Sequence, residues 1–83
     1  MNLVKTIGLN TRYYRFKRGF SEGDFANKLQ IDVEKLQNIE SGNERLGIDE
    51  IQRIVKILAI EPTDLYNFEL AAQMECYDLE YFY

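Results

Sequence analysis

Ser21-Glu22-Gly23-Asp24-Phe25-Ala26-Asn27-Lys28-Leu29, then Gln30-Ile31, then Asp32-Val33-Glu34-Lys35-Leu36-Gln37-Asn38-Ile39-Glu40-Ser41-Gly42 is the stretch that decides the fold. Ser21 is a good helix N-cap, and Glu22 and Asp24 place negative charge in the first turn, where the helix dipole favours it. Phe25, Ala26 and Leu29 form the buried stripe of one short helix. Asp32 caps a second, whose inward residues are Leu36 and Ile39 and whose end is marked by Gly42. Only Gln30 and Ile31 lie between Leu29 and the cap at Asp32. So tight a link makes two short helices cross steeply, and the outer face of the second then projects from the domain. This is helix-turn-helix geometry, in which the second helix is free to enter a major groove.

Outward from this pair, the pattern stays helical. Leu3 to Arg18 carries apolar residues at 3, 7 and 14, with Gly19 as its stop. Ile48, Ile51, Ile54, Val55 and Leu58 keep 3–4 spacing for a fourth helix. Pro62 suits the first position of a fifth, containing Asp64, Leu65 and Tyr66. The expected class is all-α. After residue 67 the chain is acidic and aromatic; Leu70, Met74, Tyr77 and Tyr81 keep helical spacing, whereas Tyr77, Leu79, Tyr81 and Tyr83 alternate as a strand would. Helix is expected to about residue 76, with the last seven residues open.

Composition narrows the function. Eighty-three residues make one small domain, burying only about 60% of the surface of its unfolded chain. The longest aliphatic run, Ile57 to Ile60, is far short of the ~20 residues of a membrane span, so no membrane association is expected. There is no histidine, which removes the commonest metal ligand and the usual base of nucleophilic triads. Cys76 is the only cysteine, so no intrachain disulfide forms and a reducing, cytoplasmic location fits. The five glycines build no phosphate-cradling motif. No catalytic residue, metal or cofactor is expected. The net charge of −4 is unevenly spread: residues 1–21 hold five bases and no acid, residues 61–83 six acids and no base. A basic N-terminal helix and an acidic tail are expected.

The 21–42 stretch, with Ile7-Gly8, Arg12 and Arg15 upstream and Ile48, Ile51, Ile54, Val55, Leu58, Ile60, Pro62, Asp64, Leu65 and Tyr66 downstream, resembles the Cro/CI-type (lambda-repressor-like) helix-turn-helix regulators. Their pattern runs Ser-Gln-x-x-Leu-Ala, a turn, then Ile-x-x-Ile-Glu-x-Gly. The resemblance covers about residues 7–67. It implies five helices around a small core, giving a DNA-binding domain over 1–67 with an extension over 68–83. It also implies a third helix that reads double-stranded DNA, as a homodimer on a two-fold operator. Position by position, it suggests that Val33, Glu34 and Asn38 face base edges, with Lys35 and Gln37 beside them, and that Ser21, Ser41, Asn43 and Arg45 hold phosphates. Chemically, Val33 suits a thymine methyl, Glu34 a cytosine amino group and Asn38 an adenine. The resemblance further pairs Arg15 with Glu40, a carboxylate on the inward edge of helix three that would be costly to bury alone.

Some positions depart from that pattern. Glu22 stands in place of a phosphate-binding Gln, either swinging toward solvent or marking a weakened DNA contact. Gln30 replaces a turn Gly and Leu46 a loop Pro. Residues 21–45 carry three bases against six acids, a net of −3 that is poorly matched to phosphates. DNA binding would then draw on Lys35, Arg45, main-chain N–H groups and the basic first helix. Leu9, Tyr13 and Phe16 give that helix a second apolar face, which Met74, Tyr77 and Tyr81 of the tail are expected to cover, within one chain or across a dimer. The reading is a cytoplasmic transcriptional repressor. Its rival is a protein-interaction or antitoxin-like module on the same scaffold, using the acidic aromatic tail and binding little DNA.

Overall fold

The computed structural model describes residues 2–76, with side chains described through residue 73. The chain forms α1 (Leu3–Lys17), α2 (Glu22–Leu29), α3 (Val33–Glu40), α4 (Ile48–Leu58), α5 (Pro62–Leu65) and α6 (Phe68–Cys76), with no strand among the described residues. Local chemistry sets the starts of the helices. Asn2 Oδ1 accepts from the Lys5 N–H at 2.8 Å, Ser21 Oγ from Asp24 at 3.1 Å, and Asp32 Oδ1 from Lys35 at 2.7 Å. Asn67 repeats the device at α6, accepting from the Leu70 N–H at 3.1 Å, so the C-terminal segment is a separate helix and not a continuation of α5. The turn between α2 and α3 is made by Gln30 at φ 60°, a left-handed conformation held here without glycine.

Phe25, Leu29, Leu36, Ile54, Leu58 and Leu65 lie at the centre of one core to which α1, α2, α3, α4 and α5 all contribute. α1 runs through the assembly and packs against α3, α4, α5 and α6. Its second face makes a smaller cluster: Leu9 packs with Ala71 of α6, and Tyr13 and Leu70 lie against them. α6 is thereby tied to α1, and Asn10 reinforces the tie by donating from Nδ2 to Leu65 O at 2.8 Å and Asn67 O at 3.1 Å.

α1 also grips the C-terminal end of α3. Gly8 makes room: a Cβ there would collide with the Ile39 carbonyl oxygen and press on Glu40. Arg15 Nε and Nη2 donate to the two Glu40 carboxylate oxygens at 2.7 and 3.1 Å. Arg12 Nη2 donates to the Glu40 carbonyl at 3.1 Å, and its Nε lies 3.6 Å from Oε1. The Arg15 and Glu40 side chains are 5% and 0% exposed. Burial pushes the Glu40 carboxyl above its ordinary range, while the Arg15 hydrogen bonds and the Arg15 and Arg12 charges pull back. At the other end of α1, Arg18 Nε donates to Leu58 O at 2.8 Å, closing the last turn of α4. Of the bases expected on the surface of helix one, Arg12 and Arg15 are buried, whereas Lys5, Lys17 and Arg18 are exposed, Arg18 while capping α4.

α4 is fastened from its own first turn. Glu50 Oε1 accepts from the Gly47 N–H at 3.1 Å, and its Oε2 lies 3.1 Å from Lys35 Nζ. The Gly47 hydrogen bond, aided by Lys35, holds the Glu50 carboxyl below its usual value of 4.5.

Three outcomes follow for stability. Gly8→Ala should cost about 2–3 kcal/mol through forced separation of α1 and α3, read as a lower denaturation midpoint. Glu40→Ala leaves two guanidinium groups buried beside a lost counter-charge and should cost about 3–5 kcal/mol; an unchanged midpoint would contradict the anchor. Glu50 titrates lower folded than unfolded, so its stabilisation is present above 4.5 and lost as pH falls through the lowered folded value. Glu50→Gln should thus be less stable than the parent chain near pH 7, with the gap narrowing in urea titrations as pH falls below 4.5.

Candidate nucleic-acid interface

Anchoring the inner side of α3 leaves its outer side in solvent. Val33, Glu34, Gln37 and Asn38 are all exposed, and steps of three and four residues put Glu34, Gln37, Asn38 and Ser41 on one stripe. The side chains of Glu34, Gln37 and Asn38 have no hydrogen bond or ion pair among the described residues. Neither α6 nor any other described element covers them. The stripe is 8 residues long at most, two turns, which is enough to span a few base-pair edges.

Lys35 sits apart from this stripe. It is half-buried, with Nζ 3.1 Å from Glu50 and 3.7 Å from Glu44, and these carboxylates raise its pKa. Its charge is held on the α4 side of α3. Around the ends of α3, Ser41 Oγ donates to Asn38 O at 3.2 Å and accepts from Asn43 Nδ2 at 3.1 Å, closing the turn. Gly42, at φ 80°, lets the chain reverse there while lying against Lys5. Arg45 is exposed in the following loop. Ser21, at the start of α2, is exposed, and its hydroxyl is committed to the cap. Ser41, Asn43 and Arg45 thus follow the C-terminal end of α3, and Ser21 opens α2. Glu22 does not swing toward solvent: it is half-buried, and its Oε2 is enclosed with no hydrogen-bond partner among the described residues.

The expected contact face of α1 divides in two. Leu9 and Tyr13 are covered by Leu70 and Ala71 of the same chain, and Lys17 Nζ stands 5.5 Å above the Tyr13 ring. Phe16 stays 55% exposed. The Met74 side chain, Tyr77 and Tyr81 lie outside the described residues. Sequence reasoning missed Gly8, Asn10 and the second arginine, Arg12, as anchors. Arg12 and Arg15 share one face of α1, a three-residue spacing legible as a paired site. No comparable signal marks Asn10, whose partners are carbonyls more than fifty residues away.

No family model matches the sequence, and no curated protein does. Solved structures do resemble the fold. The chain is similar to the restriction-modification controller protein C.AhdI from Aeromonas hydrophila, with 24% identity and a TM-score of 0.70 over 76% of this chain and 96% of that one. It is also similar to the clp gene regulator ClgR from Corynebacterium glutamicum, with 17% identity and a TM-score of 0.78 over 98% of this chain and 85% of that one. The architecture built by the Gly8 approach, the Glu40 anchor and the α2–α3 turn is accordingly the all-helical fold that these two proteins share.

Proposed function

We propose that this chain is a DNA-binding transcriptional regulator that inserts α3 into the major groove and represses by occupying its operator. The observation that carries the reading is the outer face of α3. It is rigidly mounted at its C-terminal end, exposed along its length, and lined by polar side chains with no internal partner. Such a surface on a helix tied down by buried charge is suited to reading base edges. Ser21, Ser41, Asn43, Arg45 and the N–H groups opening α2 would touch phosphates on either side. The two similar solved structures are a controller protein and a gene regulator, which supports regulation as the role.

A homodimer on a two-fold site is part of this reading. Ile48, 75% exposed, and a groove of about 290 Å³ lined by Leu3, Val4, Ile7, Leu46, Ile51 and Tyr66 leave apolar surface suited to a second copy. Light scattering on the full chain would show a dimer at micromolar concentration.

The second reading, a protein-interaction or antitoxin-like module working through the acidic C-terminal segment, is favoured by one fact. Residues 21–45 carry a net charge of −3, and the two arginines of α1 that could have offset it, Arg12 and Arg15, are buried on Glu40. Fluorescence anisotropy with random and genomic duplexes at two salt concentrations separates the two. The DNA reading expects binding at low salt that weakens only shallowly with added salt. Asn38→Ala should flatten sequence preference more than it lowers total affinity, whereas Arg45→Ala should weaken all sequences alike by about fivefold. Absence of binding at low salt would favour the second reading.

A further inference from the structure

Protein readers of duplex DNA most often specify guanine with an Arg or Lys, whose donors match the O6 and N7 acceptors. The α3 stripe has no such group. Lys35, its only base, is turned to Glu50 and Glu44. Arg12 and Arg15 are buried on Glu40, Arg18 caps α4, and Lys28 lies 5.7 Å over the Phe20 ring on α2. Arg45 is beyond the C-terminal end of α3, at the margin where a phosphate would lie. The charge that does face outward from α3 is negative: Glu34, in its first turn, is exposed and has no ion pair or hydrogen bond among the described residues. N-terminal residues of a reading helix are those that approach base edges.

A carboxylate in that position is repelled by the flanking phosphates and by every acceptor it meets. Guanine presents two acceptors in the major groove and thymine presents one, so both oppose Glu34. Adenine offers an amino donor, but beside the N7 acceptor. Cytosine alone offers an amino donor with no acceptor on the same base edge, the neighbouring O6 belonging to its pairing guanine.

We infer that Glu34 is the specificity-determining residue of this face and selects a cytosine in each half-site, guanine being recognised only through its pairing partner. This rests on the DNA-binding reading above and adds to it the chemistry of the preferred edge. The discrimination comes as much from rejection of thymine and guanine as from attraction to cytosine, since a desolvated carboxylate facing an acceptor has nothing to accept. A duplex with thymine or guanine at that position should bind at least about tenfold more weakly than the cytosine duplex. Glu34→Gln should move the preference to adenine, whose N6 and N7 match a carboxamide. Glu34→Ala should lose the preference at that position, its gain falling on the thymine and guanine duplexes that the carboxylate repels.

The test is selection of bound duplexes from a random pool at low salt by the full chain and by Glu34→Gln. Anisotropy on single-position variants of the selected sites then includes Glu34→Ala, and melting curves check that each protein is folded. One position per half-site that is cytosine for the parent chain and adenine for Glu34→Gln supports the inference. A selected site that is the same for both proteins, or a parent site with no cytosine preference that depends on Glu34, overturns it while leaving DNA binding intact. Failure of the parent chain to retain any duplex overturns the DNA-binding reading and this inference with it.

Discussion

The structure depends on one buried carboxylate. Glu40 stands at the last turn of α3, wholly enclosed, and is compensated by Arg15 through two hydrogen bonds, with Arg12 on its carbonyl. A charge so placed is tolerable only with a partner whose donors meet it squarely, and the price of losing either side is large. Gly8 is the steric half of the same arrangement, because only a residue without a Cβ lets α1 come this close to the Ile39 carbonyl. Together they fix the rotation of α3 about its own axis. Leu36 and Ile39 must face the core, and Glu34, Gln37 and Asn38 must face out.

This arrangement has an electrostatic consequence. Two of the arginines that give the N-terminal part of the chain its positive charge, Arg12 and Arg15, serve inside the fold at Glu40, and the exposed Arg18 is tied to the end of α4. Lys35 is likewise drawn toward Glu44 and Glu50. A sequence count would lend these cations to the outer surface, whereas their hydrogen bonds place them within the scaffold. The polar face of α3 is left with amides and a carboxylate, chemistry better suited to selecting base edges than to gripping phosphates.

Much of this was legible in the sequence because it is local. Ser- and Asp-type caps, the 3–4 spacing of Ile48 to Leu58 and the two-residue link at Gln30–Ile31 depend on residues within a turn of each other, and the helices begin and end close to where those signals stand. The left-handed Gln30 was foreseeable as strain at a turn position. What escaped was non-local. The two carbonyls held by Asn10 come from the α5–α6 junction, and the capture of Lys35 by Glu50 joins α3 to α4. Neither leaves a periodic trace. The enclosure of the Glu22 Oε2 atom also left no periodic signal.

Amide chemical-shift mapping during titration of the full chain with a duplex chosen by selection tests the central claim most directly. If the outer face of α3 enters the groove, perturbations concentrate on residues 32–45 and the start of α2, while the α6 amides and the buried half of α1 hold still. Perturbations confined to α1 and α6, with the signals of Glu34, Gln37 and Asn38 unmoved at saturation, would contradict it.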